Sequence, residues 1–449
     1  MSRYIPATAE DRRRMLEYLG VGSIDDLFSG IPEKVRQKNL PDLPKALPEA
    51  EMIRDLRKLA GSNRNADDLP CFLGAGVYDH FIPAAVDSVV SRGEFTTSYT
   101  PYQPEVAQGT LQAIFQYQTM VCELTGMEVS NASMYDGASA AAEAAVLAAS
   151  AVKKSRILWG RNVNPQTRDV LRTYCWSRKL DHTELPAENG RIDAKALESA
   201  LAGGDAAALV VQSPSFFGTI EDLKSLAETV HGAGALLIVS TDLLALGLLE
   251  APGKLGADIV AGDGQSVGNA MSFGGPAFGF IAVSKPLMRK MPGRICGQTV
   301  DSKGRRTFVL TLQAREQHIR REKATSNICS NQNLCIVAAS VYLSLMGPAG
   351  LREIGEQIIA KTEYAVGQLE KTGKFRRAFP GVPSFRETAL LCDEPVDELN
   401  RRLLDAGIIG GYSIEPRYPD LKNGWLLAVT ESRTKEEIDR LAAVAGGDA

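Results

Sequence analysis

Four short segments of the sequence carry residue types that could bind an anion, a substrate or a partner chain. The first, 134–139, is a turn of small and polar residues directly before an Ala-rich run of very high helix propensity. Because a helix N-terminus exposes unpaired N–H groups, this turn could bind a phosphate, with the hydroxyl of Ser139 as an added donor. Alternatively, Ser139 or Asp136 is a plain N-cap of the helix.

The second segment, 262–279, is rich in glycine and lies between two strand-like runs. Its glycines do not form a GxGxxG fingerprint, because Gly268 follows Gly262 and Gly264 one residue too late. The pattern therefore gives little support to dinucleotide binding. Repeated glycines instead indicate an irregular backbone that lies close to another surface.

The third segment, 311–332, contains a dense run of charged residues at 315–323 and then a polar turn. The turn includes Thr325, Ser326 and Asn327. A charged run of this kind is ordinarily a solvated helix face. The polar turn is longer than a simple cap requires, so the segment could instead bind a carboxylate or line an interface.

The fourth segment, 98–105, contains two prolines that fix an extended loop. Such a loop is typical of a binding edge or a subunit contact, and an ordinary packed loop is the alternative. Its polar side chains are Tyr99, Thr100, Tyr102 and Gln103.

The rest of the sequence predicts the elements that position these segments. Between 69 and 283, short uncharged apolar runs alternate with helix-like segments, as expected for strands buried on both faces of a mainly parallel sheet. After residue 331, a long helical pattern leads into a smaller unit of strands and helices. We therefore predict a helical N-terminal arm at 1–65, a large α/β domain at 66–325, and a linking helix with a small C-terminal α+β domain at 326–449.

Composition limits the classes of function. The chain has 449 residues, with 50 Lys plus Arg against 54 Asp plus Glu, and a formal net charge of −4. This balance gives no strong attraction to phosphate backbones or anionic membranes, so we expect neither nucleic acid nor a membrane as a partner. We find no uncharged apolar run long enough to cross a bilayer and no signal-peptide pattern, so we expect a cytoplasmic protein.

The histidines and cysteines show no metal-binding pattern. The four histidines are not spaced for shared coordination, and the seven cysteines are scattered without CxxC pairs. We therefore expect no metal site, and reduced thiols rather than disulfides.

Taken together and in this order, the four segments resemble the glycine dehydrogenase (decarboxylating) family, the P-proteins of the glycine cleavage system. The similarity is to the alpha chains, or subunit 1, of the two-chain form, and it extends from residue 4 to residue 431. It implies a pyridoxal-phosphate-dependent transferase fold of the aspartate aminotransferase type (fold type I), with a large doubly wound domain and a smaller C-terminal one. The strings that carry the resemblance are 99–103, 108–112, 135–137, 272–276, 315–321 and 324–329.

The resemblance also implies that this chain lacks the lysine that forms an imine with pyridoxal phosphate. In the family's beta chain a His-Lys pair precedes the Gly-Gly-Pro segment, and counting back from 274–276 places Gln265 at the lysine position. An amide cannot form an imine. The acid that holds the pyridine nitrogen is expected near the end of strand 235–240, where Ser240 stands with Asp242 two residues later. We therefore expect no catalytic or covalently bound cofactor residue here, with Ser139 as a vestigial phosphate-site candidate.

The implied activity belongs to a heterocomplex. Pyridoxal phosphate on the beta chain (subunit 2) would decarboxylate glycine, and the aminomethyl group would pass to the lipoyl arm of H-protein in an alpha-two beta-two heterotetramer. This chain would supply scaffold and interface, and it would not be active alone. The residues expected nearest the shared site are Tyr99, Thr100, Tyr102, Gln103, Thr325, Ser326 and Asn327.

Two other functions remain open on the sequence. A self-sufficient pyridoxal enzyme would need another lysine, and the nearest candidates, Lys254, Lys285 and Lys323, are better interpreted as solvated residues. A non-catalytic regulatory or binding protein could also use the same fold. Association with a lysine-bearing subunit would separate the implied activity from this second alternative.

Overall fold

The computed structural model describes residues 6–37, 39, 41–324, 326–328 and 332–447. The contacts within the chain divide it into two units, Met1–Arg64 and Asn65–Ala449. The division lies one residue before 65, and the predicted domain boundaries at 65 and 325 stay predictions.

The first unit is helical and has little core of its own. Its first helix, α1, follows a capping box in which Thr8 and Asp11 satisfy each other's backbone N–H groups, and it ends at Gly20 in the left-handed region (φ 71°). No residue of its two helices is buried. The helices are α1 (Ala9–Leu19) and α2 (Glu49–Ala60), with 3₁₀ turns at Asp25–Phe28 and Glu33–Val35 between them.

The second unit is built on a seven-stranded sheet. Five neighbouring strands are parallel, and two further strands at one edge are each paired antiparallel to the strand before them in the sheet. Its first nine strands along the chain are β1 (Val129–Ser130), β2 (Arg156–Gly160), β3 (Asp181–Leu185), β4 (Ala187–Glu188), β5 (Arg191–Ile192), β6 (Ala206–Gln212), β7 (Leu236–Ser240), β8 (Ile259–Asp263) and β9 (Gly279–Val283). The order across the sheet is β1-β9-β8-β7-β6-β2-β3, and β4 pairs with β5 in a separate ribbon.

Helices cover both faces of this sheet because its central strands are apolar on both faces. In β6, Leu209 and Val211 belong to one hydrophobic core, while Ala208 and Val210 belong to the other. This arrangement confirms the predicted doubly wound α/β fold. The helices that precede the next sheet are α3 (Ala84–Val90), α4 (Gly93–Thr96), α5 (Gln108–Thr125), α6 (Gly137–Val152), α7 (Pro165–Arg178), α8 (Ala194–Leu201) and α9 (Leu223–Gly232).

The C-terminal part contains a hairpin, a long helix and a second sheet. The hairpin pairs β10 (Ile295–Val300) with β11 (Arg306–Thr311), and neither strand was predicted from the sequence. The second sheet is four-stranded and antiparallel, in the order β12-β13-β15-β14. Its strands are β12 (Phe375–Arg377), β13 (Glu387–Cys392), β14 (Tyr412–Ser413) and β15 (Gly424–Ala428), and the helices of this part are α10 (Gln317–Arg320), α11 (Asn333–Lys371), α12 (Val396–Asp405) and α13 (Lys435–Gly446).

Helix α11 is kinked where Gly347 adopts φ 57° and Pro348 follows it. Among the described residues, α11 is the one helix with the length and apolar composition of a membrane span. Residues on both sides of the kink, such as Tyr342 and Ile358, are buried in the cores, as in the core helix of a globular protein.

Candidate active site

A cleft of about 450 Å³ opens where the carboxyl ends of β6, β7 and β8 meet the N-terminus of α6. This edge of an open α/β sheet is where such folds bind ligands. Within the described part of the chain, the cleft is lined by four carboxylates and by one cationic side chain, an arginine. These residues are Asp136, Asp242, Asp263, Glu387 and Arg386.

Arg386 is held in the cleft by a chain of buried polar contacts. One of its terminal nitrogens donates to Asp242 Oδ2 at 2.9 Å, and the other lies 3.2 Å from His80 Nε2. Because an arginine has no acceptor, His80 Nε2 must accept this bond, which leaves His80 Nδ1–H to donate to Glu431 at 2.7 Å. Burial opposes ionisation of Asp242, but the nearby guanidinium and the Ser266 hydroxyl more than offset it and lower the pKa of Asp242.

The guanidinium of Arg386 also lies on an aromatic ring. Its carbon is 3.3 Å from the centroid of the Tyr78 ring. The Tyr78 hydroxyl donates to Glu387 Oε2 at 2.8 Å, and Glu387 Oε1 accepts from the Ala75 N–H at 2.6 Å. Burial raises the pKa of Glu387. Arginine and tyrosine therefore form a stacked, hydrogen-bonded wall on one side of the cleft.

Gln265 does not line this cleft. Its side chain is buried (4% exposed). Its Oε1 accepts from the Tyr78 N–H at 3.0 Å, while Nε2 donates to the carbonyls of Tyr78 at 3.0 Å and Asn269 at 2.8 Å. The amide thus joins the glycine-rich segment to the backbone of Tyr78, and all three of its hydrogen bonds are to backbone groups.

The N-terminus of α6 is occupied by protein carboxylates. Asp136 is the N-cap and accepts from Ser139 N at 2.7 Å, and the Asp136 N–H donates to the Ser139 hydroxyl at 3.4 Å, which completes a capping box. Asp263 Oδ2 accepts from Gly137 N at 3.1 Å. Burial raises the pKa of Asp263 to about 6. A Cβ at Gly137 would lie 2.7 Å from Asp263 N, so the helix end and β8 are in direct contact.

Comparison with known proteins decides the family. The model of the family described as "Glycine cleavage system P-protein" matches residues 2–445. The chain belongs to this family.

Relatives of the P-protein family are similar over nearly the whole chain. A "probable glycine dehydrogenase (decarboxylating) subunit 1" of Bacillus licheniformis is 54% identical over 439 residues, which is 98% of this chain and 97% of that protein. The protein of the same name in Bacillus subtilis is 52% identical over 439 residues, with the same coverage. The resemblance inferred from the sequence is therefore confirmed.

Solved structures agree with this assignment. A crystal structure titled glycine decarboxylase (P-protein) of the glycine cleavage system, in inhibitor-bound form, superposes with a TM-score of 0.90 at 42% identity and covers 100% of both chains. A sphingosine-1-phosphate lyase of Burkholderia pseudomallei superposes with a TM-score of 0.65 at 14% identity, covering 93% of this chain and 94% of the lyase. The second match shows the fold alone and confirms the predicted fold type I architecture.

Enzymes of this fold use pyridoxal phosphate, but the residues of this cleft do not fit that group. The cofactor's phosphate needs unpaired N–H donors, and the first turn of α6 already donates to Asp136 and Asp263. The Arg386 guanidinium is committed to Asp242 and His80. A dianionic phosphate would therefore face carboxylates with no free cation among the described lining residues.

No described lysine lines the cleft either. Lys254 is exposed and lies 3.1 Å from Glu250, and Lys285 and Lys323 are exposed as well. Ser240, the residue expected at the position of the pyridine acid, ends β7 and lines the cleft, but the carboxylate nearest to it along the chain is Asp242, which pairs with Arg386. Among the described residues, no group of His, Cys, Asp and Glu side chains is arranged to hold a metal ion.

The tyrosine-containing loop lies outside the cleft. Tyr99 and Tyr102 are 75% and 58% exposed, Gln103 is exposed and Thr100 is half-buried. The side chains of Thr100 and Tyr102 both contact Arg294, which immediately precedes β10. The structure thus presents the two tyrosines of this loop at the surface.

The polar turn after the charged run is only partly described. Ser326 is half-buried and its hydroxyl accepts from the Ile328 N–H at 3.1 Å, Asn327 is exposed, and Thr325 lies outside the described residues. Burial raises the pKa of Glu143, on α6, to about 7, and a hydrogen bond from Ser326 opposes the rise. The charged run itself forms three short helical turns rather than one solvated helix face.

Sequence reasoning missed the residues that line the cleft and those that hold its arginine in place. They come from four separate regions of the chain, and no motif or spacing connects them. Asp242 was noted only for its position near the end of β7. The missed residues are Tyr78, His80, Asp263, Arg386, Glu387 and Glu431.

Proposed function

We propose that this chain is subunit 1, the alpha chain, of a two-chain glycine dehydrogenase (decarboxylating), and that it acts only together with a lysine-bearing second subunit. The observation that carries this proposal is 54% identity over 98% of the chain to a relative of that name. The subunit number in that name itself implies a second chain.

The chemistry of the cleft supports different roles for the two subunits. Pyridoxal phosphate on subunit 2 would supply the electron sink for loss of the glycine carboxylate as CO₂. Gln265 cannot form an imine, and the carboxylates at the start of α6 exclude the phosphate from this chain. Both features support a cofactor on the partner, with this chain contributing scaffold and interface.

The shared site would involve the surface loops of this chain rather than its cleft. Tyr99, Thr100, Tyr102 and Gln103 form one such surface, and their exposed aromatic rings suit a protein contact. Thr325, Ser326 and Asn327 are proposed for the same role on the sequence. The aminomethyl group would then pass to the lipoyl arm of H-protein, in an alpha-two beta-two heterotetramer in the cytoplasm.

Reconstitution with purified subunits tests the proposal. The chain alone, the second subunit alone and the mixture are compared for CO₂ release from glycine in the presence of lipoylated H-protein, and assembly is followed by size-exclusion chromatography with light scattering. We expect turnover that requires both subunits. Turnover by this chain alone, or a second subunit that neither binds it nor depends on it, would contradict the proposal and favour one of the two alternatives.

A further inference from the structure

A buried arginine lies beneath the tyrosine-containing loop, and no motif drew attention to it. The Arg294 side chain is only 3% exposed. One terminal nitrogen donates to the Tyr102 hydroxyl at 3.2 Å, and the other lies 3.5 Å from Thr100 Oγ1. The guanidinium carbon is 5.0 Å from the centroid of the Tyr102 ring, so Tyr102 covers the cation with its face and binds it with its hydroxyl.

The acid that faces Arg294 comes from the charged run. The Glu316 side chain is 7% exposed, and its Oε2 lies 3.7 Å from Arg294 Nε and 3.5 Å from His318 Nδ1. Neither Arg294 Nε nor Glu316 Oε1 has a hydrogen-bond partner within the described residues. Glu316 thus compensates the buried charge at a distance, and the directional bonds of Arg294 go to the loop.

Arg294 is itself held in place by rigid neighbours. Arg315 donates to the carbonyls of Gly293 at 2.8 Å and of Met291, which fixes the backbone just before Arg294. On the other side, the Cys296 N–H donates to Gln118 Oε1 of α5 at 2.9 Å. The guanidinium therefore projects from a backbone that is fixed at both ends.

The loop is tethered to the same framework at its far end. Gln108, the first residue of α5, donates to the Pro104 carbonyl at 2.7 Å and to the Phe308 carbonyl of β11 at 2.8 Å. Between these tethers, the loop presents Tyr99 and Tyr102 at the surface. Arg294 holds the middle of the loop and Gln108 holds its end.

We infer that Arg294 is a positioning residue for the shared site, which fixes Tyr102 and Thr100 in the geometry that the partner's active site requires. The inference rests on the proposed function, because it needs that loop to face the second subunit. An arginine suits the task, since its planar group can donate to two oxygens and stack on a ring at the same time. A lysine keeps the charge but presents a single ammonium, so it cannot reproduce this set of contacts.

Substitutions that separate the charge from the geometry test this inference. Arg294→Lys and Arg294→Met are assembled with the second subunit, and glycine decarboxylation is measured as kcat and KM beside Tyr102→Phe and the double variant. The matched control is Arg402→Lys. Arg402 lies in α12 and pairs with Glu394, and it contacts neither the tyrosine-containing loop nor the residues that hold that loop. We expect the control to retain wild-type activity.

For Arg294→Lys we expect normal assembly with a loss in kcat/KM on the order of tenfold or more, because small displacements of positioned groups are costly to rate. In the Tyr102→Phe background the same substitution should have a much smaller effect, because Tyr102→Phe has already removed the hydrogen bond between these two side chains. Full activity of Arg294→Lys in the assembled complex, or losses that simply multiply in the double variant, would overturn the inference. If Arg294→Met fails to assemble, the comparison of Arg294→Lys, Tyr102→Phe and their double variant still tests the inference.

The proposed function can fail separately. If the wild-type chain does not assemble with the second subunit, or does not support turnover, the proposed function is wrong. If it does both and the Arg294 variants behave like Arg402→Lys, only the positioning role is wrong.

Discussion

Replacing Gln265 with lysine supplies the side chain that an imine needs, and we expect it to leave the chain unable to hold pyridoxal phosphate. The amide now bonds the backbone of Tyr78 and Asn269 and does not line the cleft. A lysine there would have to turn away from these contacts to reach a cofactor. The phosphate of that cofactor would still meet the carboxylates of Asp136 and Asp263 at the start of α6.

The cost in stability can be worked from the same three hydrogen bonds. Gln265→Lys removes the acceptor of the Tyr78 N–H, and a buried donor without a partner costs about 1–3 kcal/mol. The ammonium can still donate to one of the two carbonyls, but it must be buried beside them. We therefore expect the free energy of unfolding to fall by about 2–4 kcal/mol.

Two measurements check the prediction. Urea unfolding gives the loss in stability, and incubation with pyridoxal phosphate followed by borohydride reduction and peptide mapping shows whether position 265 carries the cofactor. Gln298→Lys is the matched control, because Gln298 is exposed on β10. That variant should unfold within about 0.5 kcal/mol of the wild type.

A specific, saturable imine at position 265, with wild-type stability, would refute the reasoning. It would mean that the glutamine is the sole obstacle to the cofactor. It would also show that the carboxylates at the start of α6 rearrange to admit a phosphate. Labelling of exposed lysines alone, equal in the variant and the control, agrees with a cleft that does not accept the cofactor.

Three further predictions concern stability. Arg386→Met leaves Asp242 buried without its cation, so urea unfolding at neutral pH should show a loss of about 3–5 kcal/mol, and the loss should shrink in acid as the carboxyl becomes protonated. Burial raises the pKa of Glu143 to about 7 in the folded state, so the contribution of Glu143 to stability is present below its ordinary pKa and is lost as the pH rises through 7. This loss is at most about 3 kcal/mol, and Glu143→Gln should abolish it. A pH profile of stability that is the same in Glu143→Gln and the wild type would contradict the prediction. Asp136→Ala removes the N-cap of α6 and should cost about 1 kcal/mol in the same assay, with no effect if the cap is redundant.

The sequence predicted the central sheet well because its signal is local. Runs such as 236–239 and 259–260 are uncharged and bounded by turn residues, and the observed strands β7 and β8 contain them. Hairpin β10–β11 was missed, since β10 exposes Gln298 and Val300 and lacks the apolar run of a buried strand. Short edge strands such as β1 carry even less signal.

The candidate site was only partly predictable, because its parts meet through long-range contacts. The replacement at Gln265 could be inferred by counting from the glycine-rich segment. Arg386 could not, since it lies 144 residues from Asp242 and carries no motif. Arg294 was hidden in the same way, at 192 residues from Tyr102.

The chain of contacts through Arg386 gives the residues of the cleft a structural role. Arg386 immediately precedes β13 of the C-terminal sheet, and its partner Asp242 follows β7 of the large sheet, so the ion pair joins the two sheets. His80 extends the connection to Glu431, which follows β15. An enzyme that closes around a substrate must let these parts move, whereas buried ion pairs across them oppose movement.

These pairs therefore favour a fixed relation between the two sheets. The half-buried Asp79 adds a third link, with its carboxylate 2.7 Å from the buried Arg433. A rigid protomer of this kind suits a subunit whose task is to hold surface loops in place for another chain. On this reasoning, Arg386→Met should also weaken the support given to the partner's turnover, even though Arg386 lies in the cleft and not at the proposed interface.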